Sequence, residues 1–259
     1  MKQQITIVKV GGAVVEDEAQ LSQLLHDFTA IQGPKILVHG GGRKATKMAE
    51  RLGIETKMVD GRRITDADML EVVTMVYGGL VNKNIVARLQ TLGADALGLT
   101  GADGNILLSA KRPLKNGIDY GFVGDVKAAN GQKIAHFIEA GIIPVIAPLT
   151  HDGQGHMLNT NADTMASETA KAMAAAGFDV TLIFAFEKPG VLRNPDDDAS
   201  VIDSITHADF ETYKADGTIS GGMLPKIENA LSAIDAGVER VIITKATAID
   251  GLHGTVISF

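Results

Sequence analysis

The chain has 259 residues, 45% apolar, 21% charged and 4% aromatic, with a formal net charge of -7 and no cysteine. That composition provides a sizeable aliphatic core. It argues against a phosphate-backbone binding surface, which needs clustered Lys and Arg, and it excludes disulfides, Cys-based zinc sites and a thiol nucleophile. No stretch reaches the roughly 18 apolar residues that span a bilayer, and residues 1–10 lack a signal-peptide pattern. A cytoplasmic protein is therefore expected, with no nucleic-acid or membrane partner.

Short β-branched runs alternate with helical spacing along the chain. Ile5 to Val10 reads as a buried strand, Asp17 to Ile31 as a helix (Leu21, Leu24, Leu25, Phe28 on one face), Lys35 to His39 as a strand and Arg43 to Leu52 as a helix. Asp66 to Tyr77 and Val81 to Leu92 read as two separate helices. Strands are expected at Asp95 to Leu99, Ile106 to Ser109 and Phe122 to Val126, then a helix from Gly131 to Ala140 and a strand from Ile142 to Ile146. Ala162 to Ala176 is an Ala- and Met-rich helix closed by Gly177. A strand at Val180 to Ala185, helices at His207 to Lys214 and Met223 to Ala236, and strands at Arg240 to Thr244 and Thr255 to Ser258 complete the series. Such alternation predicts a mostly parallel sheet covered on both faces, with ligands beyond the carboxyl ends of the strands.

Two glycine loops stand at consecutive strand ends. Lys9-Val10-Gly11-Gly12 closes the first strand, and His39-Gly40-Gly41-Gly42 closes the second just before a helix. Glycines permit close backbone approach, and a helix start adds free N–H groups, so the pair predicts a nest for phosphate oxygens. Neither loop is a Walker A motif or a dinucleotide fingerprint. Each alone is also what a tight turn looks like. None of the seven histidines forms an HxxxH-type pair; His39 reads as structural, and His151 and His156 as loop residues.

The loops, and further motifs in the same order, resemble the amino-acid kinase family. Asp60-Gly61-Arg62-Arg63-Ile64-Thr65, the Gly-rich Gly98 to Gly104, Gly121 to Val126, Asn159-Thr160-Asn161-Ala162-Asp163 and Gly221-Gly222-Met223-Leu224-Pro225-Lys226 are similar to segments of the branch acting on N-acetyl-L-glutamate. The resemblance covers nearly the whole chain. It implies an α/β three-layer αβα sandwich with two lobes. Residues 1–177 would bind the acylglutamate and dimerise, and residues 178–259 would bind ATP. The implied reaction moves the γ-phosphoryl of ATP to the γ-carboxylate of N-acetyl-L-glutamate, with Mg2+ held mainly by the ATP phosphates.

A carboxylate is already ionised at neutral pH, so the reaction needs alignment and charge neutralisation rather than a base. By resemblance, Lys9 and Lys226 approach the phosphoryl from opposite sides, Asp163 fixes their ammonium groups, and Gly12 and Gly42 present amides. Alone, the two lysines would read as an ordinary strand-end residue and a solvated helix residue. Gly41, Gly42, Arg63 and Asn159 are the implied acylglutamate contacts. Lys9, Glu187, Lys188, Pro189, Gly190, Val191, Leu192, Thr218, Ile219, Ser220 and Lys226 are the implied nucleotide contacts. Phe186-Glu187-Lys188 departs from the family's usual Thr/Ser-Asp-Val. That departure leaves two other readings open: the same transfer on another N-acylglutamate such as N-succinylglutamate, or a catalytically silent amino-acid-binding regulator. Arginine-inhibited members carry a helix before the first strand, so a homodimer insensitive to arginine is expected, with Lys83 to Leu92 near its contact.

Overall fold

The computed structural model describes every residue except Met1, Asp60 and Lys115; Asp60, which opens one of the motifs above, lies outside the described residues. In chain order the elements are β1 (Gln4–Val10), α1 (Gly12–Glu16), α2 (Glu18–Ala30), β2 (Lys35–His39), α3 (Gly42–Arg51), β3 (Met58–Val59), β4 (Arg62–Arg63) and α4 (Ala67–Val73). A π-helical segment, Thr74–Val81, leads into α5 (Asn82–Thr91). Then come β5 (Ala96–Leu99), β6 (Leu107–Lys111), β7 (Gly124–Ala129), α6 (Gly131–Glu139), β8 (Ile143–Ile146), β9 (Leu149–His151), β10 (Met157–Asn159) and α7 (Ala162–Ala175). The chain ends with β11 (Asp179–Phe186), β12 (Ser204–Ile205), α8 (His207–Ala215), α9 (Met223–Asp235), β13 (Arg240–Lys245) and β14 (Thr255–Ile257).

Eight strands form one sheet in the order β12-β14-β13-β11-β1-β2-β8-β5. Its central pairs are parallel, and β14 runs antiparallel to β13. The strands at its centre are apolar on both faces, as a doubly covered parallel sheet requires. Along β1 the side chains alternate between two cores. Ile5 and Ile7 join a cluster with Met165, Ala166, Ile227 and Leu231 from α7 and α9. Val8 and Val10 join Leu24, Phe28, Val73 and Leu89 from α2, α4 and α5. The sheet thus lies between two helical layers, the αβα sandwich expected, and it continues unbroken across Gly177. A smaller sheet, β10-β9-β6-β7, stands beside it.

The two helices expected over Asp66 to Leu92 are one continuous helix. The break read at Gly78–Leu80 is filled by the π-helical turns, where Gly78 sits tightly enough that a Cβ would lie 3.4 Å from Leu149 Cδ1. The short α1 and the strands β3, β4, β9, β10 and β12 are too brief to leave a periodic signal. The strand expected at Phe122 to Val126 begins instead at Gly124.

The start of α6 approaches the end of α7 so closely that a Cβ at Gly131 would stand 2.0 Å from the Ala172 carbonyl oxygen. Backbone there cannot yield as a flexible side chain would. Gly131→Ala is expected to destabilise the protein by about 1–3 kcal/mol, which thermal melts would read as a fall of several degrees in Tm; an unchanged Tm would contradict this close packing.

Candidate active site

Alternation along β1 decides where Lys9 points. It shares the face of Ile7, and so extends toward the α7 and α9 layer rather than the opposite helices. Its register partner on β11 is Phe184, which points the same way. The start of α7 faces this point. Asn161 caps the helix through its side-chain oxygen, which accepts from the amides of Asp163 at 2.8 Å and Thr164 at 3.0 Å. The cap fixes Asp163 in the first turn, where the helix dipole favours a carboxylate. Lys226 comes from the first turn of α9, which packs alongside α7.

The three charged groups meet. Lys9 Nζ lies 2.6 Å from Asp163 Oδ1, and Lys226 Nζ lies 3.2 Å from Oδ2 and 3.3 Å from Oδ1. All three side chains are at least four-fifths buried. Burial alone would raise the Asp163 carboxyl, but the two ammonium charges and their hydrogen bonds outweigh it and hold it at about 2. Burial, reinforced by repulsion from Lys9, pushes Lys226 down. The Lys226 ammonium also stands over the Phe184 and Phe186 rings, 5.6 and 5.5 Å from their centroids, within reach of a cation–π attraction.

The glycine loops stand next to this cluster. A Cβ at Gly40 would lie 3.1 Å from the Gly12 nitrogen, and one at Gly12 would lie 3.7 Å from the nitrogens of both Gly41 and Gly42. The loops therefore touch, with Gly42 opening α3 and Gly12 opening α1. Arg63 reaches into the second loop: Nη2 donates to the Gly42 carbonyl and to Thr46 Oγ1, both at 2.9 Å. Tyr77, from the π-helical turn, packs beneath Gly41, where a Cβ would lie 2.9 Å from its ring. Burial raises the Tyr77 hydroxyl, and the adjacent Arg63 guanidinium offsets part of that. Asn159 Nδ2 donates to Thr65 Oγ1 at 2.9 Å, so the strip Arg63–Thr65 links Asn159 to the glycine loop. His39 is fully buried, and burial lowers its imidazole to about 4; a neutral ring is consistent with the structural role expected of it.

The residues expected on the nucleotide side are arranged more loosely. Glu187 is exposed and Lys188 half-buried, 3.8 Å from Arg43 and 3.0 Å from Asp198 respectively. Pro189 and Gly190 form the turn after β11, and a Cβ at Gly190 would stand 2.8 Å from Thr255 Oγ1. That hydroxyl accepts from the Val191 amide. Val191, Leu192 and Ile219 place their side chains in or against the core, so any contact they made to a nucleotide would run through backbone. Thr218 donates its amide to Asp216, and Ser220 precedes the Gly221–Gly222 turn into α9. Sequence reasoning missed the aromatic pair under Lys226 and the Tyr77 support of Gly41; only the altered Phe186 position signalled either.

Among the described residues no group of three His, Asp or Glu side chains could hold a metal ion, and no helix is long and apolar enough to cross a membrane. Asp163, the carboxylate at the centre, already has both oxygens on ammonium groups. The site therefore does not fit a resident metal, and with two ammonium groups on one carboxylate it carries a surplus of positive charge.

Known proteins resemble this chain along nearly its whole length. The profile described as Amino acid kinase family matches residues 4–245. An acetylglutamate kinase of Bacteroides thetaiotaomicron is 64% identical over 255 residues, 98% of each chain. Another, from Methanopyrus kandleri, is 39% identical over 97% of this chain and 99% of its own. Among solved structures, smu.665 from Streptococcus mutans UA159 superposes with a TM-score of 0.80 at 32% identity, covering 98% of each chain. Carbamate kinase from Giardia lamblia bound to AMP-PNP shares the fold, with a TM-score of 0.69 at 14% identity, over 99% of this chain and 98% of that one.

The Asp163 carboxyl sits lower in the folded state than its ordinary value of 3.8. Its stabilising contribution is therefore complete above about pH 4 and is lost as pH falls toward 2. Compared with Asp163→Asn, the wild type should lose about 2 kcal/mol more stability between pH 6 and pH 2. Denaturant melts of both proteins across that range would measure it, and a constant gap would contradict the ion cluster.

Proposed function

The chain belongs to the amino acid kinase family, and on that premise we propose how its residues carry out the reaction of its acetylglutamate kinase relatives. The protein is a kinase that transfers the γ-phosphoryl of ATP to the γ-carboxylate of N-acetyl-L-glutamate, giving the acyl phosphate and ADP. This is a step of arginine biosynthesis. The observation that carries the mechanism is the Lys9–Asp163–Lys226 cluster beside two touching glycine loops.

The attacking carboxylate oxygen is ionised at neutral pH and needs no base. Asp163 would serve poorly as one, since both of its oxygens are engaged and its carboxyl is held at about 2. The oxygen attacks the γ-phosphorus as the bond to the ADP oxygen breaks, and negative charge spreads over the equatorial oxygens in a loose transition state. Lys9 and Lys226 neutralise that charge from two sides, and Asp163 keeps the two ammonium groups from separating before substrates arrive. The amides of Gly12, Gly41 and Gly42, which have no backbone acceptor among the described residues, add donors at helix starts. Arg63 and Asn159 hold the acylglutamate, Arg63 offering its positive charge to the α-carboxylate while its Nη2 keeps its bonds to Gly42 and Thr46. MgATP enters as the substrate complex, its ion carried on the phosphates.

Residues 1–177, with the glycine loops, Arg63 and Asn159, form the acylglutamate lobe in this reading. Residues 178–259, with Glu187 to Leu192, Thr218 to Ser220 and Lys226, form the ATP lobe. The active form is a cytoplasmic homodimer whose contact runs along α5 and the edge strand β5. Leu80 just before α5, Leu92 just after it and Leu97 on β5 are exposed, and light scattering would find twice the chain mass.

A coupled ADP-release assay tests the reaction. N-acetyl-L-glutamate with MgATP should turn over, with unacylated glutamate, aspartate and carbamate far behind. Lys226→Ala should lower kcat by roughly 100- to 1,000-fold, with KM for both substrates nearly unchanged. Absence of turnover by the folded wild type would refute the reaction. A rise in KM at constant kcat would remove Lys226 from the transition state.

A further inference from the structure

A second buried polar array lies behind the glycine loop. Asn82, the first residue of α5, is 1% exposed. Its Nδ2 donates to the Val145 carbonyl at 2.9 Å and lies 3.1 Å from His39 Nε2. Its Oδ1 accepts from Lys83 Nζ at 3.1 Å, and the same ammonium donates to the Gly98 carbonyl at 2.9 Å. There is no slack here: a Cβ at Gly98 would stand 1.9 Å from Asn82 Oδ1.

This array fixes a proton. A backbone carbonyl can only accept and an ammonium can only donate, so the amide of Asn82 has one possible orientation. Its Nδ2, a donor, faces His39 Nε2, which must then be the acceptor. The single ring proton lies on Nδ1, 2.8 Å from the Gly40 carbonyl oxygen. The ring is fully buried, and Lys83 is the charged group beside it; both keep it neutral.

The consequence falls on the loop. A trans peptide is planar, so its C=O and the following N–H point in opposite directions. Tying the Gly40 carbonyl back to His39 turns the Gly41 amide the other way, and the Gly41 nitrogen lies 3.7 Å from where a Cβ on Gly12 would stand. Among the described residues that amide has no backbone acceptor. Tyr77 closes the remaining side of Gly41.

We propose that His39 is a positioning residue: held by Asn82 as the Nδ1–H tautomer, it anchors the Gly40 carbonyl and thereby aims the Gly41 amide at the anion in the active site. The role rests on the phosphoryl-transfer reading above. His39 touches no substrate in it and exchanges no proton.

Two conservative variants separate positioning from packing. In His39→Asn the side-chain amide can occupy the Nδ1 place and still donate to Gly40, while Asn82 loses its acceptor. In His39→Gln the amide can reach the Nε2 place and satisfy Asn82, while the bond to Gly40 is lost. His39→Gln should lose about 100-fold in kcat, the scale of one misplaced oxyanion donor, with KM little changed. His39→Asn should stay within about five-fold of wild type even where its Tm falls further. Equal losses in the two variants, or kcat following Tm, would overturn the assignment. Nitrogen-15 NMR of the substrate-free wild type decides independently of whether either variant folds. It should show a neutral Nδ1–H ring at pH 5, and an Nε2–H tautomer or a charged ring would overturn the inference. Wild-type turnover tests the kinase reading, and the tautomer tests His39 alone.

Discussion

One carboxylate holds two ammonium groups that would otherwise repel, and the site is organised around that constraint. Lys9, Asp163 and Lys226 come from a strand and two helices far apart in sequence, yet their charged atoms lie within 3.3 Å of the shared acid. Breaking a buried ionic group typically costs several kcal/mol because the remaining charge is left uncompensated. Here one acid serves two bases, so the cluster carries a net positive charge. In the proposed reaction that surplus meets the transferring phosphoryl group. The arrangement is poorly suited to stability alone and well suited to gripping an anion.

Several groups near the cluster support that surplus without adding negative charge. Phe184 and Phe186 offer ring faces to Lys226 in place of a second acid. The cap by Asn161 holds Asp163 in the first turn of α7 through bonds that involve neither lysine. The glycine loops contribute dipoles rather than charges, and they approach so closely that a Cβ at Gly40 would crowd the Gly12 nitrogen at 3.1 Å. Arg63 ties the second loop to the strip that carries Asn159. The same buried polar logic recurs behind the loop, where Asn82 meets His39 and His39 meets the Gly40 carbonyl.

The sheet was legible in the sequence because parallel strands covered on both faces read as continuous β-branched runs, and Ile5 to Val10 and Val180 to Ala185 do so plainly. Lys9 could be placed at a strand end, and its face followed from alternation once the helical layers were known. The motifs pointed to Asp163 and Lys226 through resemblance, since nothing in local spacing joins residues 63 positions apart. The π-helical turns at Thr74–Val81 were not legible, because Gly78 and Gly79 read equally as a helix break. The role of His39 was also hidden. It depends on a partner 43 residues away whose amide orientation is fixed by Val145 and Lys83. The side chains of Val191 and Ile219 read as loop residues near a nucleotide, whereas tertiary packing draws them into the core.

The central claim is that Lys9 and Lys226 close on the phosphoryl group from opposite sides while Asp163 joins them. A crystal structure with N-acetyl-L-glutamate, MgADP and tetrafluoroaluminate, a planar mimic of the transferring group, tests it most directly. The account predicts both ammonium nitrogens within hydrogen-bond distance of fluorine atoms on the same aluminium centre, with Asp163 still bonded to each lysine. A complex in which either lysine points away from that centre, or in which Asp163 turns to ligate the metal, would contradict it.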